Sequence, residues 1–100
     1  MAERKDAEEM VLALEKAKGV DAKLYDVRGK SDLADFFIVA TGVAAPHLKA
    51  LAKALPKKAL RVSGDPESGW IVADYGDIVA HVFSPEARAY YAIERLWAQE

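Results

Sequence analysis

The chain has 100 residues, 52% of them hydrophobic and 30% charged, the balance of a single globular domain rather than of a disordered segment. Its formal net charge of −2 offers no general attraction for phosphates, and the absence of cysteine excludes disulfides, thiol catalysis and the common zinc modules. No apolar run approaches the roughly 18 residues of a membrane span, and the opening MAERKDAEEM has no apolar signal core, so a cytoplasmic domain is expected.

In DAEEMVLALEKAKG, Met10, Val11, Leu14 and Ala17 recur at helical spacing. Asp6 is the expected N-cap, Glu9 its capping-box partner and Gly19 the stop. AKLYDVRG alternates as a short strand, with Leu24, Asp26 and Arg28 on one side and Tyr25 and Val27 on the other. KSDLAD reads as a turn or a single helical turn, and FFIVATG as a strand buried on both faces that ends at Gly42. From Ala44 to Ala54 the leucines Leu48, Leu51 and Leu55 form a helical stripe closed by Pro56. ALRVSG is a brief strand and DPESG a turn. After the hairpin GWIVADYGDIVAHVF, Ser84 is an N-cap and Pro85 a first helical residue, opening a helix that runs to about Trp97. The order α-β-β-α-β-β-β-α, without linker or repeat, predicts one α/β domain over 1–100, a mixed sheet of about five strands flanked by helices.

The hairpin raises the functional question. Gly76-Asp77 specifies a two-residue turn, with Gly76 supplying a positive φ. Tyr75 then lies opposite Ile78, Asp74 opposite Val79, Val72 opposite His81 and Trp70 opposite Phe83, and directly paired residues share a face. One face carries Ile71, Ala73, Tyr75, Ile78, Ala80 and Val82, and needs only a helix to cover it. The other mixes Trp70, Val72, Asp74, Val79, His81 and Phe83. Once buried, Asp74 and His81 each require a partner. Such a mixture suits a protein-binding hot spot. It also suits a face covered by the terminal helix, with Asp74 capping a turn. A one-residue slip in register would exchange these partners. The last helix is expected to dock the stripe Ala89, Ile93, Leu96 and Trp97 on the apolar face, or else to send Trp97 to a partner or a second copy.

Asp32 and Asp35 precede a buried strand, as metal-binding carboxylates do in nucleotidyltransferases. A two-metal site needs oxygens converging on ions about 4 Å apart, which strand residues at i and i+2 supply and these do not. No glycine-rich phosphate cradle precedes them, so turn capping is the more economical role. His47 and His81 lack cysteine partners and i, i+4 spacing, which gives no metal site. His47 suits a polar surface role at a helix start, and His81 a hydrogen bond within a strand. KALPKK is the nearest basic cluster and contains no aromatic residue, against direct sequence-specific nucleic-acid contact. No catalytic residue and no cofactor are expected.

Taken together, DVRGKSDLADFFIVATG, His47 and GWIVADYGDIVAHVFSPEARAYYAIERLW resemble the ribosomal silencing factor family, RsfS or Iojap, from about Asp26 to Trp97. The resemblance implies a nucleotidyltransferase-like fold without enzymatic activity, in which SDLAD is a remnant of a lost metal motif. It implies binding to the large ribosomal subunit through universal ribosomal protein fourteen. Small-subunit joining would be blocked and translation damped under nutrient limitation. It also implies a homodimer when free, in a bacterial-type cytoplasm or as the mature form of an organelle protein. By position, Trp70, Asp74, Tyr75 and Asp77 match the family's hairpin motif, the region associated with ribosomal-protein binding, and His81 belongs to its VHVF element. Carboxylates there suit a basic partner, since they accept charge-assisted bonds from Arg and Lys. The aromatics would supply buried area. Two departures stand out: a shortened stretch from His47 to Arg61, and TGVAAPH where the family has a hydroxyl-rich TGTSSRH, without its N-cap and basic residue. Two rivals complete the field. One is a magnesium-dependent nucleotidyltransferase using Asp32, Asp35 and Asp74; the other is a scaffold that dimerises through the mixed hairpin face.

Overall fold

The protein is described from a computed structural model covering residues 3–32 and 34–93. Its elements are α1 (Arg4–Lys16), β1 (Val20–Asp26), β2 (Phe36–Thr41), α2 (Ala45–Ala54), β3 (Arg61–Asp65), a 3-10 turn (Pro66–Ser68), β4 (Trp70–Asp74), β5 (Ile78–Phe83) and α3 (Pro85–Tyr91). The expected order holds. The strands form one mixed sheet in the order β1-β2-β5-β4-β3, in which β2 and β5 run parallel and every other pair is antiparallel. A parallel pair requires a crossover, and α2 with β3 and β4 supplies it. Both parallel strands are apolar nearly throughout, because a strand inside such a sheet is covered on both sides.

The hairpin register is the one the turn residues dictate. Trp70 pairs with Phe83, Val72 with His81 and Asp74 with Val79. The Tyr75 N–H donates to the Ile78 carbonyl at 2.8 Å across the turn, and Gly76 takes φ 88°. The alternation therefore sends Ile71, Ala73, Ile78, Ala80 and Val82 to one side, where they pack with Met10 and Leu14 of α1 and Leu48 and Leu51 of α2. Each leucine buried there contributes about 1.5–3 kcal/mol relative to exposure.

Three expectations are corrected. Helix α1 starts earlier than Asp6: Glu3 is the N-cap, and Asp6 at N3 accepts from the Glu3 N–H at 3.2 Å. The earlier start brings Ala7 into the core and sets the Asp6 carboxylate in the first turn, where the helix dipole favours it. Gly19 does stop α1, yet the left-handed residue is Lys18, at φ 71°. The Lys18 N–H reaches the Glu15 carbonyl at 3.0 Å and the Gly19 N–H the Leu14 carbonyl at 2.8 Å, a Schellman closure. Gly19 is needed for space, because a Cβ there would lie 2.8 Å from the Leu14 carbonyl oxygen and 3.2 Å from Leu51 Cδ2.

The third correction concerns the last helix. Ser84 caps it as expected, its Oγ accepting from the Ala87 N–H at 3.1 Å. But α1 and α2 already occupy the apolar face, so α3 lies on the mixed one, where Ala87 and the following Ile93 pack with Val39 and Phe83. Helical geometry ends at Tyr91, with Ala92 left-handed at φ 47°. The expected continuation with Leu96 and Trp97 lies outside the described residues.

Candidate functional site

Pairing across the sheet aligns the mixed face into rows. One row runs Tyr25, Phe37, Val79, Asp74, Arg61, and its neighbour runs Lys23, Val39, His81, Val72, Ser63. Beyond these lie Thr41, Phe83, Trp70 and Asp65. The terminal helix covers this last row: the Tyr91 ring sits 4.4 Å from the Trp70 ring, centroid to centroid, and Trp70 sits 5.0 Å from Phe83. Toward the hairpin turn the face stays partly open, with Phe37, Val72, Asp74 and Val79 all half-buried.

Trp70 and His81 form the polar centre of this face. The Trp70 Nε1–H donates to His81 Nδ1 at 3.2 Å. An indole nitrogen only donates, so Nδ1 is unprotonated and the imidazole proton resides on Nε2. His81 is 8% exposed, and its Nε2 is buried without a hydrogen-bond partner among the described residues. Aromatic rings surround it, Phe37 at 5.5 Å and Phe83 nearly parallel at 5.9 Å. Burial in this apolar setting pushes the imidazole pKa down to about 4, so His81 is neutral near pH 7.

Asp74 serves the turn: its Oδ1 accepts from the Gly76 N–H at 2.8 Å. Asp77 is exposed at the turn, where its carbonyl accepts from the N–H groups of Asp35 (2.8 Å) and Phe36 (3.1 Å) and ties β2 to the hairpin. Tyr75 lies on the opposite face. Its hydroxyl donates to the Pro56 carbonyl at 3.2 Å, anchoring the end of α2, and burial raises its pKa. The structure thus brings Trp70, Asp74 and His81 to one face, sets Asp77 at its rim and sends Tyr75 elsewhere.

Among the described residues no group of three or more His, Cys, Asp or Glu could hold a metal ion. His47 is more than a polar surface residue: its Nδ1 accepts from the Val43 N–H (3.0 Å) and its Nε2–H donates to the Ala17 carbonyl (3.0 Å), stapling α2 to the end of α1. Sequence reasoning missed Arg88. Its side chain is 12% exposed, donates through Nη1 to Thr41 Oγ1 at 2.8 Å and meets Asp21 at 3.6 Å. It lines a cleft of about 690 Å³ between α3 and β1, with Lys23 and Tyr25. No local signal marks such a residue, because Thr41 is 47 positions away. No helix among the described residues is long and apolar enough to cross a membrane.

Comparison with known proteins gives this arrangement a context. The model of the family described as "Ribosomal silencing factor during starvation" (RsfS) matches residues 1–100. Ribosomal silencing factor RsfS of Halalkalibacterium halodurans is 34% identical over 94 residues, 87% of this chain and 80% of that protein. The mouse protein named "Mitochondrial assembly of ribosomal large subunit protein 1" is 28% identical over 102 residues, 92% of this chain but 45% of its own length. A crystal structure of a Chromobacterium violaceum protein superposes with a TM-score of 0.89 at 33% identity, covering 100% of this chain and 89% of that one. The chain therefore belongs to the ribosomal silencing factor family, RsfS or Iojap, whose members regulate translation as silencing factors and are not enzymes.

Proposed function

We propose that this protein docks on the large ribosomal subunit, through universal ribosomal protein fourteen, with the mixed face of β4 and β5. Joining of the small subunit is then blocked sterically, damping translation when nutrients are limiting. The observation that carries this reading is the half-open end of that face. Phe37, Val72 and Val79 offer apolar area there, and the Asp74 and Asp77 carboxylates stand at its margin. A basic ribosomal protein would meet those carboxylates with Arg or Lys, and the apolar centre would exclude water. The relative named for assembly of the ribosomal large subunit supports the large subunit as the partner. When not bound to the subunit the protein is a homodimer, in a bacterial-type cytoplasm or as the mature form of an organelle protein.

Co-sedimentation with purified large subunits tests the reading. Trp70→Ala is a poor probe, because Trp70 also packs on Phe83 and Tyr91. Val79→Arg and Asp74→Asn are cleaner; asparagine keeps the oxygen that holds Gly76 while removing the charge. Wild type is expected to pellet stoichiometrically, Asp74→Asn to pellet less and Val79→Arg to remain in the supernatant. Folded wild type that never pellets with large subunits sinks the proposal.

A further inference from the structure

We propose that His81 is a positioning residue: through Nδ1 it holds the Trp70 indole in the one orientation that the docking face presents. This rests on the reading of that face given above. His81 sits where an apolar residue would be expected. Val39 and Val72 are its cross-strand neighbours, the rings of Phe37 and Phe83 lie 5.5 and 5.9 Å away, and the residue is 8% exposed. A phenylalanine of similar size would fill the space without polar cost. Histidine instead leaves Nε2 buried and unpaired among the described residues. An unsatisfied buried donor costs about as much as, or more than, one neutral hydrogen bond returns, so His81 is not there for stability.

What it supplies is direction. The ring contacts of Trp70 with Tyr91 (4.4 Å, tilted by 41°) and Phe83 (5.0 Å, tilted by 32°) include no directional bond, and the second side-chain torsion of the indole is intrinsically broad. The 3.2 Å bond from Trp70 Nε1–H to His81 Nδ1 selects one of the orientations that torsion allows. Both Trp70 and His81 face the same side as Val72, Asp74 and Val79, so turning the indole reshapes the docking surface. Burial keeps the imidazole neutral, as an acceptor at Nδ1 requires.

The test compares wild type, His81→Phe and His81→Gln in three measurements: urea unfolding, the Trp70 indole N–H resonance, and titration with purified large subunits. His81→Phe is expected to stay folded, to shift or split the indole resonance, and to bind roughly tenfold more weakly, the order of one lost net hydrogen bond. His81→Gln, which retains an acceptor, should recover part of that loss. His81→Phe binding with wild-type affinity overturns the positioning role while leaving the docking face intact. Wild type that does not bind large subunits overturns both. Should His81→Phe fail to fold, the imidazole nitrogen shifts of wild type decide: a proton found on Nδ1 overturns the proposal, and one on Nε2 supports it.

Discussion

The two faces of the β4–β5 hairpin share one register, and they are held in opposite ways. The apolar face is covered by α1 and α2 with side chains that need nothing but contact: Leu14, Leu48, Leu51, Ile38 and Val82 are all fully buried. On the mixed face, α3 packs over Trp70, Phe83 and Val39, and among the described residues the buried His81 keeps an unpaired nitrogen. Adjacent residues show the contrast most directly. Tyr75 points to the apolar side and locks the end of α2, whereas Asp74 stays on the mixed side and closes the turn. One face is built for stability. The other gives up some stability and, in the proposed function, keeps surface for a partner.

The largest effect that would sharpen this contrast is expected from Leu51→Ala. Leu51 is fully buried and its methyls crowd Gly19 and Gly42, so the site has little room to collapse. A loss of about 4 kcal/mol in urea unfolding is expected, with large-subunit binding per folded molecule unchanged. A loss below about 1 kcal/mol would show that the apolar face does not carry the fold.

Next in size is an acid effect on the mixed face. The pKa of His81 falls from 6.5 to about 4 on folding, so between those values the unfolded chain binds the proton that the folded one refuses. Stability is then full above about pH 6.5 and declines as pH falls toward 4, by roughly 3 kcal/mol in total. Urea unfolding at several pH values should show this slope, and His81→Phe should remove it. An unchanged slope in the variant would place the acid sensitivity elsewhere.

Smaller in stability, though not in function, is Val79→Arg. Val79 is half-buried on the open part of the mixed face, so unfolding free energy should change by no more than about 1 kcal/mol while pelleting is lost. Equal losses of stability and binding would erase the distinction between the faces. The smallest effect belongs to Arg28, an exposed residue whose guanidinium lies 5.0 Å from the Phe36 ring centroid. Its guanidinium grips Asp26 through two bonds (3.0 and 2.6 Å), which with the Asp26–Arg28 backbone bond holds the Asp26 pKa near 2 instead of 3.8. Arg28→Ala should let that value rise toward 3.8 in an NMR titration with little change in unfolding, because the ion pair is solvent-screened and the contact over Phe36 is made by an exposed side chain.

Much of the fold was legible because its signals are local. Alternation in WIVAD and IVAHVF, with Gly76 between them, defines the hairpin and its register, since a slip of one residue would turn Ile71 and Val82 outward. Ser84-Pro85 marks the start of α3 for the same reason. The candidate site was only half legible. That Trp70, Asp74 and His81 share a face follows from pairing alone. That Trp70 donates to His81, and that Tyr91 lies over Trp70, depends on where α3 comes to rest.

By itself, the sequence determined the order of elements, the strand pairing of the hairpin, the separation of its two faces and the motifs of the family. Short-range periodicity and turn chemistry are enough for each. Only the tertiary structure decided which helix covers which face, the His47 staple onto Ala17 and the Arg88 bond to Thr41. These join residues 30 and 47 positions apart. Their geometry follows from helices competing for a limited apolar surface, and no local pattern encodes the outcome of that competition.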